Sequence, residues 1–263
     1  MELGLKDKVA IVPASSKGLG RACALALALE GANVVICSRD SKDIKTAAKE
    51  ISQQSGSEIL PIKADVSNQQ EIEKIVKKAT GAFGTVHILV NNAGGPPFGY
   101  FDVFDMEQWQ KAIELNLFST IRLTQLVTPY MKEQNWGRII NITSIAVKQP
   151  LDGLILSNTS RAGVIGFAKT ISNELAKYNI LVNNVCPGRI FTDRIKSLAS
   201  SRAEKDGKSF DEVIESMQTD IPVGKIGTPE EFANMVVFLA SEKASYITGN
   251  TIQIDGGLLK GIF

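Results

Sequence analysis

The feature that most constrains this chain is an alternation running from end to end: short, nearly continuous apolar runs, each followed by a longer stretch with helical spacing. Val9–Val12, Asn33–Cys37, Ile59–Ile62, Ile88–Val90, Arg138–Thr143, Leu181–Cys186 and Thr251–Ile254 read as strands, and helical patterns occupy 18–30, 41–54, 68–80, 105–133, 155–177 and 229–240. Strands that are apolar on both faces belong in a sheet covered on both sides, and strand–helix–strand units cross over right-handedly to a parallel neighbour. The expected fold is therefore α/β: one doubly wound Rossmann-type domain over 1–263, with a parallel sheet of about seven strands and helices on both faces. Ser67-Asn68 and Thr228-Pro229-Glu230-Glu231 supply helix-start chemistry at two of the predicted boundaries. No repeat, low-complexity tract or linker marks a second domain.

One segment breaks the rhythm. Between Pro187 and Pro222 the pattern loses its strand, and Ser200–Ser209 is strongly polar. A stretch this long reads as a functional lid or a flexible loop. Ligands of open α/β sheets lie outside the carboxyl ends of the strands, and this segment follows the strand ending at Cys186, so about 189–222 is expected to form a substrate loop.

Several function classes are disfavoured by inventory. A net charge of +1 gives no electrostatic footprint for nucleic acid or an anionic membrane. No apolar run approaches the roughly 18 residues a membrane span needs, and Met1–Asp7 is short and charged, unlike a secretory leader. A cytoplasmic protein without nucleic-acid or membrane partners is expected. Cys23, Cys37 and Cys186 lack metal-ligand or CxxC spacing and read as buried, reduced thiols. The only histidine, His87, sits in the strand-like run Val86–Val90, where a hydrogen-bonded structural role fits. Neither a metal site nor a Ser–His–Asp triad is expected.

The first strand runs into Pro13-Ala14-Ser15-Ser16-Lys17-Gly18-Leu19-Gly20-Arg21 and then into an alanine- and leucine-rich helix. Glycines here let the backbone approach a pyrophosphate at a helix N-terminus, although an ordinary strand-to-helix turn looks much the same. With the rest of the chain the pattern resembles the short-chain dehydrogenase/reductase family. That family's fingerprint is Thr-Gly-x-x-x-Gly-x-Gly, met here with Pro13 for the threonine and Ala14 for the first glycine. Asp65-Val66 resembles the adenine-contacting pair, Asn91-Asn92-Ala93-Gly94 is an intact copy of a family motif, and Pro187-Gly188, with Ile190 and Thr192, resembles the nicotinamide carboxamide site. Ala244–Gly249 and Asp255-Gly256-Gly257 resemble the flanks of the family's last strand. The likeness covers roughly residues 5–258 and is closest to 3-oxoacyl-acyl-carrier-protein reductases and related sugar dehydrogenases. It implies a cofactor site built from Ala14, Ser15, Ser16, Lys17, Gly18, Leu19, Gly20, Ser38, Arg39, Asp65, Val66, Asn92, Ala93, Gly94, Arg161, Pro187, Gly188, Ile190 and Thr192.

Cofactor choice turns on the end of the second strand, where an acid binds the ribose of NAD and arginine accommodates the phosphate of NADP. Ser38 holds that position, followed by Arg39 and Asp40. Arg39 and Lys17 could converge on a phosphate, which favours NADP(H) over NAD(H). Asp40 argues for NAD, and Arg39-Asp40 can also be read as a solvated loop pair.

The resemblance further implies a tetrad of asparagine, serine, tyrosine and lysine. Asn116 and Ser144 match the first two, but the tyrosine and lysine positions hold Ser157 and Arg161. An aliphatic alcohol is a far weaker acid than a phenol, and arginine stays protonated near neutrality. Arg161 is expected to retain a ribose contact. Tyr100 and Lys148 are the substitute proton donors within reach in sequence, each equally readable as a surface residue. Two functions follow: an NADP(H)-dependent oxidoreductase acting on a small-molecule carbonyl or hydroxyl substrate through an atypical site, or an impaired or inactive NADP(H)-binding protein with a sensor or partner-binding role. Gly163 and Gly166, among apolar residues of the 155–177 helix, together with the resemblance, imply a homo-oligomer, a tetramer or dimer.

Overall fold

In the computed structural model, which describes residues 2–262, the apolar runs form one parallel sheet. Its strands are β1 (Val9–Val12), β2 (Asn33–Ser38), β3 (Ile59–Lys63), β4 (Ile88–Asn91), β5 (Gly137–Ile142), β6 (Ile180–Pro187) and β7 (Thr251–Ile254), in the order β3-β2-β1-β4-β5-β6-β7. The order reverses beside β1, which pairs with both β2 and β4. That reversal opens the crevice in which doubly wound sheets bind ligands.

Helices α1 (Gly18–Leu29), α2 (Ser41–Ser55), α3 (Gln69–Phe83), α4 (Met106–Ile113), α5 (Ser119–Glu133), α6 (Ile155–Leu175), α7 (Asp193–Asp206), α8 (Phe210–Thr219) and α9 (Pro229–Ala240) complete the chain. Cores on the two faces of the sheet hold it together. Cys23, Leu27, Ile44, Ile51, Phe232 and Val236 pack on Val34, Ile36 and Ile140 on one face, and Ile72, Ile75, Leu123, Val127 and Ala168 pack on Val35, Leu89 and Ile139 on the other. Alternate residues of one strand thus feed opposite cores. No helix among the described residues is long and apolar enough to cross a membrane.

The helix starts follow the side-chain chemistry of the sequence. Asn68 accepts from the amides of Gln70 and Glu71, and Thr228 and Glu231 bond reciprocally around Pro229. Two expectations need correction. The 105–133 stretch is not one regular helix, because a π-helical turn, Glu114–Phe118, separates α4 from α5. The 187–222 segment has no strand beyond the end of β6, as expected, but it is helical rather than a flexible loop, since it holds α7 and α8. Their apolar face is sparse: Ala199, Ala203, Val213, Met217, Ile221 and Ile226 form a small cluster of their own. Ser209 and Glu212 close a reciprocal cap at the start of α8.

The central strands carry an amide ladder through the sheet. Asn91 Nδ2 donates to Asn141 Oδ1 at 2.9 Å, Asn141 Nδ2 to Asn184 Oδ1 at 2.9 Å, and Asn184 Nδ2 to Thr251 Oγ1 at 3.1 Å. The three asparagines are 1–3% exposed, so each bond satisfies groups that burial would otherwise leave costly.

Candidate active site

The carboxyl ends of β1, β4, β5 and β6 bring four distant motifs to one edge of the sheet. After β1, Ala14 takes a left-handed backbone at φ 49° and Gly18 one at φ 60°. Alanine there bears a strain that glycine would avoid. The turn is pinned from inside: Ser15 Oγ donates to Val12 O at 2.5 Å, and Ser15 N donates to Cys37 O at 3.1 Å. α1 then starts at Gly18 behind Lys17 without a side-chain cap, so its first amides face the crevice edge unpaired by a cap.

The loop after β4 is fastened to this turn. Asn92 Nδ2 donates to Pro13 O at 3.1 Å and Ala14 O at 3.2 Å. A Cβ at Gly20 would fall 2.5 Å from Ala14 O and 2.6 Å from Asn92 Nδ2, so only glycine fits between them. Gly188 is equally closed, since its Cβ would meet Asp255 Cβ at 2.6 Å, and its amide donates to Ile254 O at 2.9 Å. Gly94 has open space in front of it. Ile190 is buried, and Thr192 precedes α7 with its hydroxyl donating to Ile190 O at 3.3 Å. Leu19 and Ala93 are half-buried, Ser16 likewise, and Val66 is buried. Asp65 is half-buried and closes a local turn, its Oδ1 accepting from Ser67 N at 2.9 Å and Ser67 Oγ at 2.8 Å.

At the end of β2, Ser38 Oγ donates to Asp40 O at 2.9 Å. Asp40 caps α2, its carboxylate accepting from Lys42 N at 2.7 Å and Asp43 N at 2.8 Å. Those amides hold its carboxyl below the usual aspartate range. Arg39 is exposed and makes no ion pair among the described residues. Lys17 pairs with Asp193 at 3.1 Å, joining the first turn to α7 rather than to Arg39.

The residues expected to form the tetrad lie on the π-helical turn, the end of β5 and α6, and of these only Ser157 and Arg161 bond to each other. Asn116 lies at the centre of the π-helical turn, a distortion found at functional sites. Its Nδ2 donates to Ala112 O at 3.2 Å, while its buried Oδ1 has no partner among the described residues. Ser144 follows β5 and accepts from Ala146 N at 3.1 Å. Ser157 and Arg161 are buried at 6% and 9% exposure on one face of α6. Arg161 turns toward the strand end: its Nη1 donates to Ile142 O at 2.9 Å and Thr143 O at 3.0 Å, and its Nε donates to Ser157 Oγ at 3.2 Å. Burial, with the nearby charge of Arg194, lowers its pKa to about 10, so it remains a cation near neutrality. Ser157 and Arg161 are therefore bonded to each other and, through Arg161, to the backbone.

Of the substitute donors, Tyr100 is 58% exposed and stacks edge-on against Phe98, 6.1 Å between centroids. Lys148 is half-buried behind Ser144 and makes no ion pair among the described residues. A further side chain, Arg194 in the first turn of α7, lays its guanidinium against Gly95. Its only sequence signal is a cation two places past Thr192.

The remaining expectations have plain geometric outcomes. Cys23, Cys37 and Cys186 are buried and unpaired, and burial pushes the Cys37 thiol up to about 12. His87 Nδ1 accepts from Val9 N at 3.0 Å, a structural bond. Gly163 does not free a surface for another subunit: a Cβ there would meet Leu117 of the same chain at 3.0 Å, whereas Gly166 faces open space.

Residues 13–259 match a family model described as Enoyl-(Acyl carrier protein) reductase. The chain is 36% identical to the 3-oxoacyl-[acyl-carrier-protein] reductase of Aquifex aeolicus, over 98% of this chain and 100% of that one. It is 38% identical to the same reductase of Staphylococcus epidermidis, over 96% of this chain and 99% of that one. Among solved structures it is similar to L-sorbose reductase from Gluconobacter frateurii complexed with NADPH and L-sorbose, with a TM-score of 0.96, 33% identity and full coverage of both chains.

Proposed function

Because the chain belongs to the short-chain dehydrogenase/reductase family, we propose that it is an NADP(H)-dependent oxidoreductase that interconverts a carbonyl and a hydroxyl group through an altered proton-transfer site. The observation that carries this reading is the closure of the crevice around Gly20. Asn92 clamps Pro13 and Ala14, and a single Cβ at Gly20 would fill the approach. Such a close backbone turn ahead of an uncapped helix start suits a pyrophosphate.

The residues present fit a dinucleotide. Ala14–Gly20 would hold the pyrophosphate, Asp65 and Val66 the adenine, Asn92–Gly94 the ribose side, and Pro187, Gly188, Ile190 and Thr192 the carboxamide. NADP(H) is favoured because Asp40 is spent on capping α2, Ser38 offers no carboxylate, and Arg39 is exposed without an ionic partner. The L-sorbose reductase is likewise complexed with NADPH. When bound, the nicotinamide supplies or accepts the hydride.

The chain's own residues divide the remaining work. Ser144, whose hydroxyl proton is not used in its bond with Ala146 N, would donate to a substrate carbonyl oxygen, and Asn116 would offer its buried Oδ1, unpartnered among the described residues, to a water or substrate donor. Arg161 fixes the end of β5 and leaves part of its guanidinium for the ribose. Ser157 is spoken for as an acceptor of Arg161 and is a poor acid, so the proton comes from water or from a residue on the rim.

The same buried Ser157–Arg161 bond favours a second reading, a cofactor-binding protein in which proton transfer has been given up and binding retained. Two measurements separate them. Fluorescence titration is expected to show NADPH bound more tightly than NADH, with Arg39→Ala abolishing most of the difference. Equal affinities would count against the cofactor assignment. Turnover of NADPH with any of a panel of ketones and acyl thioesters supports the enzyme, and tight binding with no turnover supports the second reading.

A further inference from the structure

The substrate end of the cleft carries positive charge that no acid among the described residues pairs with. Arg194 leaves the first turn of α7 and lays its guanidinium against the backbone of Gly95, bridging the cleft from the β6 side to the β4 side; a Cβ at Gly95 would sit 2.6 Å from its Cζ. The loop after β4 thus has a glycine where the guanidinium needs the space. Arg194 is exposed and forms no ion pair or hydrogen bond among the described residues. The neighbouring acids are engaged elsewhere: Asp193 pairs with Lys17 at 3.1 Å, and Asp220 pairs with Arg189 at 2.8 Å.

Two further cations share this end. Arg161 bonds to the carbonyls of Ile142 and Thr143 at the end of β5, and Lys148, which makes no ion pair among the described residues, closes the turn that follows Ser144. A cation in the first turn of a helix also opposes the helix dipole. Arg161 is already bonded to Ser157 and the backbone, which leaves Arg194 and Lys148 as the two cations here without an acidic partner among the described residues, and an anion at this end would answer both charges. Guanidinium binds carboxylate through two parallel hydrogen bonds, which gives the site a chemical preference as well as a charge preference.

We propose that Arg194, supported by Lys148, selects substrates carrying a carboxylate near the reacting carbonyl, so that the natural substrate is an oxo acid or its hydroxy acid rather than a neutral ketone or sugar. This rests on reading the cleft as a cofactor-dependent carbonyl site. A competing source of the same chemistry is the cofactor's own pyrophosphate, which Arg194 would then clamp.

The test uses binding and is independent of turnover. The wild-type protein saturated with NADP+ is titrated calorimetrically with acetoacetate, a small oxo acid, and with its uncharged methyl ester. The acid is expected to bind at least about tenfold more tightly, a difference of about 1.4 kcal/mol. Arg194→Gln is expected to remove most of that preference and Lys148→Met part of it, while NADPH affinity stays within about twofold. Arg194 is exposed, so the variant retains its packing, which circular dichroism checks. Equal binding of acid and ester by the wild type overturns the proposal, as does a preference that survives Arg194→Gln. A loss of NADPH affinity in Arg194→Gln as large as the loss of acetoacetate binding assigns Arg194 to the pyrophosphate and also overturns it. If the wild type took no NADP+ at all, the cofactor reading itself would fall. With NADP+ bound and no preference for the acid, only the substrate proposal falls.

Discussion

Placing a phenol at 157 and an ammonium at 161 is the sharpest probe of the proposed altered site. The perturbation is Ser157→Tyr combined with Arg161→Lys. A positioned general acid contributes about 10²–10⁴-fold, so if these two positions are the only defect, NADPH turnover on a simple ketone should rise on the order of 10²-fold. The structure says what this costs. Ser157 is 6% exposed, and a phenol forced into a serine-sized space costs about 1–3 kcal/mol. Arg161 donates to Ile142 O, Thr143 O and Ser157 Oγ, and an ammonium on a shorter stem gives up at least one of these bonds, each about 1.5–3 kcal/mol for a charged donor. The combined loss is about 2.5–6 kcal/mol out of a typical total of about 5–15, so the melting temperature should fall by about 5–24 °C. The assay is therefore NADPH consumption well below the variant's melting transition, beside an NADPH titration. A folded variant that binds NADPH and gains nothing would refute the idea that the proton donor is all the site lacks. A wild-type enzyme already turning over at ordinary rates would point to a rim donor, and Tyr100→Phe and Lys148→Ala would then be measured.

Two other outcomes are expected. His87 is held neutral, its pKa lowered from 6.5 to about 4 by burial and by Lys8, while Nδ1 accepts from Val9 N. The folded pKa lies below the unfolded one, so this contribution is present above pH 6.5 and is lost as the pH falls toward 4. Allowing for partial exposure, it amounts to about 1–2 kcal/mol; urea midpoints of His87→Gln should fall less over that window than those of the wild type, and parallel curves would refute the assignment. We also propose a homo-oligomer, with the open surface at Gly166 on α6 in contact between subunits. Light scattering at micromolar concentration should give a dimer or tetramer mass that Gly166→Arg reduces, and a monomeric wild type would dispose of the idea.

The sheet was legible because its strands are apolar on both faces and its turns carry small residues at fixed places. Asn91–Gly94 and Pro187–Gly188 could be placed at strand ends by reading alone. What escaped reading depends on contacts between segments. α7 and α8 bury only a small cluster of alanine, valine, methionine and isoleucine side chains, so their polar surface hides the helical period. The π-helical turn at Asn116 inserts no breaker residue and has no sequence signature. Gly163 reads as a surface for a partner, yet Leu117 of the same chain fills the space before it. Arg194 gains its meaning only when α7 folds back over Gly95, a contact between positions almost a hundred residues apart.

The amide ladder through Asn91, Asn141, Asn184 and Thr251 has a consequence for how such a protein can diversify. It ties together the strands that deliver the Asn92, Ser144 and Pro187 loops, so these three rims form a single stiff chassis whose parts cannot be re-aimed one at a time. A substitution that shifts one rim must strain buried amides in the next two strands. The α7–α8 segment lies outside this linkage and rests on a small cluster of its own. That segment can therefore change, like exchangeable tooling, without retuning the frame beneath it.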